Sequence, residues 1–490
     1  MNAGLIYSVD NYVTVEKPLA TANDVPFGIS FISATLRQEG YGTELLILTP
    51  GSDINGLLSA FIARLKPKLF CLTSVSTQFP LIKLAAAEIK KIDPSIFVVL
   101  GGHHATLNPQ EAIGAEGVDA ICVGEGEAAA RGLARAIESG VRPSGIPNLW
   151  IKTADGRVEK NQPDPFIENL DALPFIDRDI WEPWIHNPIE SITVLVGRGC
   201  PYRCTYCSNH ALAQVADGKY LRMRSPENVF DEVRVTLARW PKTRRIFFEV
   251  ETFGAVPHYV FDFCAKLEEF NKTLPHPITF QTNMAVTDRL RGRSDVLEAM
   301  SKAGFDLVCI GFESGSERMR KEVLRRPKYA NDTIIEFCET ARKNGIDVLF
   351  YTLIGIPGET VEDFRETVRV ARACQPRYCV LFICYPYPGT DMFDLAVKMG
   401  LVPVGGLNTS GERAVTVMDL PGFPRWRVRW EFIWFYLKVY GGKQPAMVVA
   451  GQTFKAAVLS MPRLHHFVKR FIFVTSFGRF LKKKLLVRED

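Results

Sequence analysis

The chain lacks an apolar run long enough to cross a membrane: every hydrophobic stretch meets a glycine, a proline or a charge before the roughly 18 residues that a spanning helix needs. It does not open on a basic segment followed by an apolar core, so no secretory signal is expected. Low-complexity tracts are missing, as is any internal repeat of about 20–50 residues. Its eleven cysteines are an odd number, three of them clustered, which argues against a disulfide framework and for metal chemistry in a reducing, intracellular compartment. What remains is an ordinary globular composition, 47% hydrophobic and 23% charged, over 490 residues. That excludes a mainly disordered or collagenous chain and suggests two or three domains.

The net charge of +5 is unevenly placed. Arg425 to Asp490 carry 14 Lys/Arg against 3 Asp/Glu, or +11, which leaves −6 for the rest. A basic tail on an acidic body suits an anionic partner, membrane or nucleic acid; a solvated helical face is the alternative.

Residues 1–140 alternate short apolar runs with amphipathic stretches at the tempo of βαβ units. Strands are expected at Gly4 to Val9, Leu45 to Leu48, Leu69 to Leu72, Phe97 to Leu100 and Ala120 to Val123. Helices are expected at Ile29 to Glu39, Ile54 to Leu65, Leu81 to Lys91, Ala105 to Gly114 and Glu127 to Ser139. Five such strands give a flavodoxin-like, doubly wound parallel sheet, which binds ligands beyond the carboxyl ends of its strands. Ser74, Ser76, Gly101, Gly102, His103, Gly124, Glu125 and Gly126 fall at those ends. Residues 141–190 are rich in Pro and Asp and read as a linker and covering segment. Over 191–400 six strands alternate with helices, as in a partial (β/α)6 barrel. Residues 401–490 form a basic, aromatic-rich region expected to be helical.

The sharpest feature is Gly197-Arg198-Gly199-Cys200-Pro201-Tyr202-Arg203-Cys204-Thr205-Tyr206-Cys207, directly after an expected strand. Thiolates at this spacing suit an iron–sulfur cluster or a structural zinc. Zinc would want a fourth ligand, for which His210 is the nearest candidate. A four-iron cluster on three cysteines keeps one iron open. Cys71, Cys122 and Cys309 lie in apolar strands and read as small hydrophobes. Cys374, Cys379 and Cys384 are spaced poorly for a second cluster, and no cysteine follows them.

The C-x3-C-x2-C loop with Tyr206 resembles the signature of radical S-adenosylmethionine (SAM) enzymes. Gly311-Phe312-Glu313-Ser314-Gly315 and Gly355-Ile356-Pro357-Gly358-Glu359 resemble the same family's fifth-strand segment and sixth-strand turn, while Gly101-Gly102-His103-His104, Gly124-Glu125-Gly126-Glu127 and Tyr385-Pro386-Tyr387-Pro388-Gly389 resemble the members that carry an N-terminal cobalamin (B12)-binding domain. The resemblance spans residues 1 to about 400. It implies that Cys200, Cys204 and Cys207 hold a [4Fe–4S] cluster whose open iron chelates SAM, and that Tyr206, Asn283, Glu313 and Ser314 contact SAM. Glu251 would be catalytic, and the eight loop residues named above from Ser74 to Gly126 would face cobalamin. The Asp-x-His-x-x-Gly string that supplies a histidine ligand to many cobalamins is absent.

The resemblance further implies cleavage of SAM to a 5′-deoxyadenosyl radical and, with cobalamin, methylation of an unactivated carbon. Cyclisation or rearrangement with the same cofactors, and a non-catalytic cluster- or zinc-bearing protein, are the alternatives. The expected partners are a small-molecule or lipid substrate and an electron donor such as flavodoxin or ferredoxin; nucleic acid is disfavoured, since no recognisable module appears. The expected location is cytoplasmic. Arg425 to Tyr440 and Phe467 to Val487 interleave aromatics with Lys/Arg, as in either a helical cap on the barrel or a peripheral membrane contact.

Overall fold

The computed structural model describes residues 1–10, 12–274, 276–403, 412 and 415–461. The expected segment Phe467 to Val487 lies outside them. The chain divides into two compact units. The first comprises Met1–Pro201, Ser208–Glu251 and Glu269–Phe280; the second comprises Tyr202–Cys207, Thr252–Glu268 and the residues from Gln281 onward.

The first unit opens with β1 (Asn2–Ser8), β2 (Leu19–Ala22), α1 (Phe27–Gln38), β3 (Gly42–Leu48), α2 (Ile54–Leu65), β4 (Leu69–Thr73), α3 (Phe79–Ile92) and β5 (Phe97–Gly101). Then come α4 (His103–Leu107), α5 (Pro109–Gly114), β6 (Ala120–Cys122), α6 (Glu127–Glu138), β7 (Leu149–Lys152) and β8 (Val158–Lys160). Seven strands form one sheet in the order β3-β1-β4-β5-β6-β7-β8, parallel through β6. The five parallel strands thus follow the flavodoxin-like order, with the topological switch between β1 and β4. Ile6, Phe70, Leu72, Val98 and Leu100 of these strands pack on Leu58, Ile82 and Ile89 of the helices, and all are buried.

Two expectations are corrected here. The expected helix from Ala105 to Gly114 is two short helices, because Pro109 cannot donate the hydrogen bond that would continue the first. The expected linker contains β7 and β8, an antiparallel hairpin that extends the sheet. Its strands are short, and part of its support is lateral, with Lys160 lying 4.3 Å over the Trp150 ring.

The chain continues with β9 (Ile185–Leu195), β10 (Gly197–Arg198), α7 (Asn209–Leu212), β11 (Arg222–Met223), α8 (Pro226–Arg239), β12 (Arg245–Glu249), α9 (Pro257–Lys272) and β13 (Thr279–Met284). It ends with α10 (Ser294–Ala303), β14 (Phe305–Glu313), α11 (Asn331–Lys343), β15 (Asp347–Ile354), α12 (Val361–Cys374), β16 (Tyr378–Ile383), α13 (Asp391–Lys398), α14 (Arg425–Tyr440) and α15 (Ala446–Leu459). The strands β9, β12, β13, β14, β15 and β16 alternate with α8 to α12, which is the expected six-fold βα array. Within the first unit β9 pairs in parallel with β12 and, on its other side, with β2. Within the second, β14, β15 and β16 are parallel neighbours.

The β2 strand was not expected. It is four residues long, and its pairing breaks register between Thr21 and Ala22, whose partners are Asn187 and Ile192. In α8, Glu232 accepts from Arg178 at 2.9 Å and from Arg224 at 2.5 Å, and the two guanidiniums also reach the carbonyls of Thr193 and Leu195. All three side chains are at least nine-tenths buried. This network pins α8 to β9, the strand that leads to the cysteine loop.

Candidate functional site

Cys200, Cys204 and Cys207 follow β9 and β10, and none of the three is in a disulfide. Gly199 makes the approach to the loop possible. Its φ is +88°, and a Cβ there would lie 2.2 Å from the Tyr220 carbonyl oxygen. The stretch Tyr202–Cys207 is tied down within the second unit. The Thr205 N–H donates to the Leu324 carbonyl at 3.0 Å, its hydroxyl donates to the Val323 carbonyl at 2.7 Å, and the Cys207 N–H donates to the Cys204 carbonyl at 3.1 Å. Leu324 closes a π-helical turn, Met319–Val323, a wound form that often marks functional sites.

Around buried Cys204 the second unit gathers a charged cluster. Arg326 Nη1 lies 3.7 Å from Cys204 Sγ and donates to the Tyr206 hydroxyl at 3.0 Å. The Tyr206 hydroxyl donates to Glu313 Oε1 at 2.9 Å, and Arg326 Nη2 donates to the Gly311 carbonyl. Burial pushes the Tyr206 phenol well above its usual range, against the pull of Arg326. Burial also raises the Glu313 carboxyl, opposed by Arg326 and by the Tyr206 hydrogen bond. For Arg326 itself burial works against the charge, yet Tyr206, Cys204 and Glu313 outweigh it and its pKa rises. Glu313 and Arg325 hold φ of +59° and +48°. Such strain in side-chain-bearing residues collects at functional sites.

Ser314 is fully buried, its hydroxyl within 3.2 Å of Thr367 and accepting from the Ser316 N–H. It therefore braces the turn after β14 against α12 and does not open outward. Asn283 is half-buried near the end of β13. Among the described residues no three His, Cys, Asp or Glu side chains converge on a point for a single metal ion. The thiols of this loop and the cationic donor beside Cys204 suit a cluster.

The first unit carries a cavity of about 350 Å³ at the carboxyl ends of β4, β5 and β6. Gly101, Gly102, His103, Gly124, Gly126 and Glu251 all line it. Gly102 has φ +90°, and a Cβ there would lie 2.6 Å from Thr73 Oγ1. Packing lowers the His103 imidazole below its usual range, while the negative charge of Glu251 works the other way. Ser74 and Ser8, at the switch point, are buried with side-chain hydroxyls that have no partner among the described residues. Glycine walls and a cavity at the carboxyl ends of β4 to β6 fit a broad, amide-rimmed ligand such as cobalamin.

Ser76 is not among the lining residues, whereas Glu125 lines the cavity and is itself locked in place. Ser76 bonds His104 Nδ1 at 3.2 Å, and the His104 ring stacks on Phe79 at 3.9 Å. The Glu125 carboxylate is held by Arg198 at 2.9 Å, by both Arg222 Nη atoms at 2.9 and 3.0 Å, and by the Ile167 N–H at 2.8 Å. Burial alone would raise its pKa, but the two arginines hold it below the usual carboxylate range. Glu125 thus locks the loop after β6 to the strands flanking the cysteine loop. Arg198, Arg222 and Arg326 were missed in the sequence. Only the position of Arg198 inside the cysteine motif hints at a role.

Comparison with known proteins bears out this architecture. Residues 194–371 match the radical SAM superfamily, and residues 22–134 match the B12 binding domain. The chain thus combines a radical SAM domain with an N-terminal B12-binding domain. It is 26% identical over 406 residues to an uncharacterized methyltransferase, PH0819, of Pyrococcus horikoshii, covering 80% of this chain and 82% of that protein. It is 26% identical over 381 residues to an anaerobic magnesium-protoporphyrin IX monomethyl ester cyclase of Rubrivivax gelatinosus, covering 75% and 66%. The fold is similar to that of the radical SAM methyltransferase TsrM of Kitasatospora setae, solved with cobalamin and a [4Fe–4S] cluster bound: TM-score 0.63, 20% identity, 82% of this chain and 75% of that one. The cofactors of the enzyme are a [4Fe–4S] cluster, SAM and cobalamin.

Proposed function

We propose that the protein is a cobalamin-dependent radical SAM methyltransferase that places a methyl group on a carbon of a small-molecule or lipid substrate. The observation that carries this reading is the joint presence of both domains with methyltransferases among the relatives. Cys200, Cys204 and Cys207 would hold the cluster, and the cavity after β4 to β6 would hold cobalamin. When bound, these cofactors supply reductive cleavage of SAM and methyl transfer. Tyr206 and Glu313, joined by a hydrogen bond beside Cys204, would orient SAM, with Asn283 as a further polar contact. Ser314 supports that wall from behind. The Glu251 carboxylate, exposed at the cavity edge, would orient the substrate or accept a proton from it, with His103 as its neighbour.

The C-terminal helices supply the second half of the proposal, a peripheral membrane contact. Val428, Phe432 and Phe435 of α14 are buried, while Trp426 and Trp430 of the same helix and Phe454 of α15 are 68%, 51% and 68% exposed. Exposed Trp and Phe followed by residues 462–490, with eight Lys/Arg against two Asp/Glu, suit an anionic lipid surface. No described helix is long and apolar enough to cross a membrane.

The cyclase relative favours one rival, a rearrangement or ring closure with the same cofactors. Anaerobic incubation with SAM, a reductant and candidate acceptors separates the two. Methyl transfer gains about 14 Da per event, the mass of CH2, with formation of S-adenosylhomocysteine. 5′-Deoxyadenosine without S-adenosylhomocysteine, and a product lacking that mass, would select the rival.

A further inference from the structure

We propose that Arg326 tunes the reduction potential of the cluster held by the cysteine loop, by donating an N–H···S hydrogen bond to the Cys204 sulfur. This rests on the assignment of Cys204 as a cluster ligand. Three independent features of the second unit place the guanidinium. The backbone is forced into position, since Arg325 holds φ of +48° and is fixed by an ion pair to Asp391 at 2.9 Å. The guanidinium is gripped at three points, by the Gly311 carbonyl, the Tyr206 hydroxyl and Cys204 Sγ. Room for it is kept by the lack of a side chain at Gly311, where a Cβ would lie 3.1 Å from Arg326 Nη2 and 2.8 Å from Glu313 Oε1.

The physical consequence follows from charge. Reduction adds an electron to a centre already surrounded by thiolates, and the sulfur beside the guanidinium, that of Cys204, is buried where water screens little. A fixed cation that donates to a ligand sulfur stabilises the reduced form more than the oxidised one, and hydrogen bonds to sulfur are a recognised control on such potentials. Arg326 is therefore a positioning residue acting through Cys204, and it makes the cluster easier for the electron donor to reduce. Its Nε is buried with no partner among the described residues, which shows how far the group is committed to its other contacts. Glu313 would oppose the effect by drawing the charge toward itself through Tyr206.

The test is an anaerobic redox titration of the reconstituted full-length protein, with dithionite and mediator dyes, read by the electron paramagnetic resonance of the reduced cluster. At the potential where half of the wild-type clusters are reduced, Arg326→Gln should lower the reduced-to-oxidised ratio about tenfold, equal to about 59 mV for one electron. Arg326→Lys, which keeps the charge, should lower it less. Gly311→Ala, which displaces the guanidinium without removing it, should shift the ratio in the same direction and decides the matter if Arg326→Gln fails to fold. An unchanged ratio in Arg326→Gln and Gly311→Ala, with wild-type iron content and circular dichroism, overturns the inference. Loss of iron from both, with circular dichroism intact, also overturns it by making Arg326 a structural support. A wild-type protein that shows no cluster signal overturns the underlying assignment of Cys204 instead.

Discussion

His103 and Glu251 share the cavity wall, and their charges are coupled: packing disfavours imidazolium at His103, and the Glu251 carboxylate favours it. Glu251→Gln removes the favourable charge, so the His103 pKa should fall further, as followed by NMR titration of the ring. A rise, or no change, would show that the two do not face each other. A buried acid outside that cavity is Glu359, on the turn after β15. One carboxylate oxygen accepts from the N–H groups of Gly355 and Ile356, while the other is buried without a partner among the described residues. Burial raises its pKa from 4.5 to about 8, despite those two donors. The folded state then binds a proton that the unfolded chain has released. Stability at this site is therefore fully present below pH 4.5 and is lost as pH rises to about 8. Glu359→Gln should flatten that part of the profile in thermal melts between pH 5 and pH 9; an unaltered slope would contradict it. Glu251, Glu313 and the three cysteines stood out in the sequence because they sit in short motifs at strand ends. Arg326 did not, because what makes it special is its reach to Cys204 across 122 positions of chain, and no local spacing encodes that.

At the scale of elements, the helices with clean amphipathic spacing were legible almost to the residue. Ile54–Leu65 is an example, with Asp53 as its capping side chain. Short edge pieces were not. β2 and the hairpin β7–β8 have three or four residues each and owe their conformation to a neighbouring strand, so their own sequence carries little signal. The element most exposed to single substitution is α8. Glu232→Ala would leave Arg178 and Arg224 buried without their shared carboxylate, at a cost of about 3–5 kcal/mol in urea unfolding. A cost below about 1 kcal/mol would mean that water or a rearranged carbonyl replaces the carboxylate.

For the whole molecule, the fold explains why two cofactor-binding architectures occur in one chain. The flavodoxin-like sheet presents a switch point, the βα array presents a cysteine loop, and the Arg198–Glu125–Arg222 clamp joins the β6 loop to the strands on either side of that loop. The C-terminal helices add an exposed aromatic face. Replacing both Trp426 and Trp430 with Asp should cut co-sedimentation with vesicles of anionic phospholipid at least tenfold, while neutral vesicles bind little in either form. Equal sedimentation of the variant would remove α14 from the membrane contact.

The cysteine loop is the point from which the rest of the account is built. Protein prepared without oxygen, analysed for iron and sulfide and then reduced, should contain about four of each and give a paramagnetic spectrum that changes when SAM is added. The combined Cys200→Ala, Cys204→Ala and Cys207→Ala variant should show none of this. Absence of iron and sulfide from the native protein, or a reduced spectrum indifferent to SAM, would contradict it.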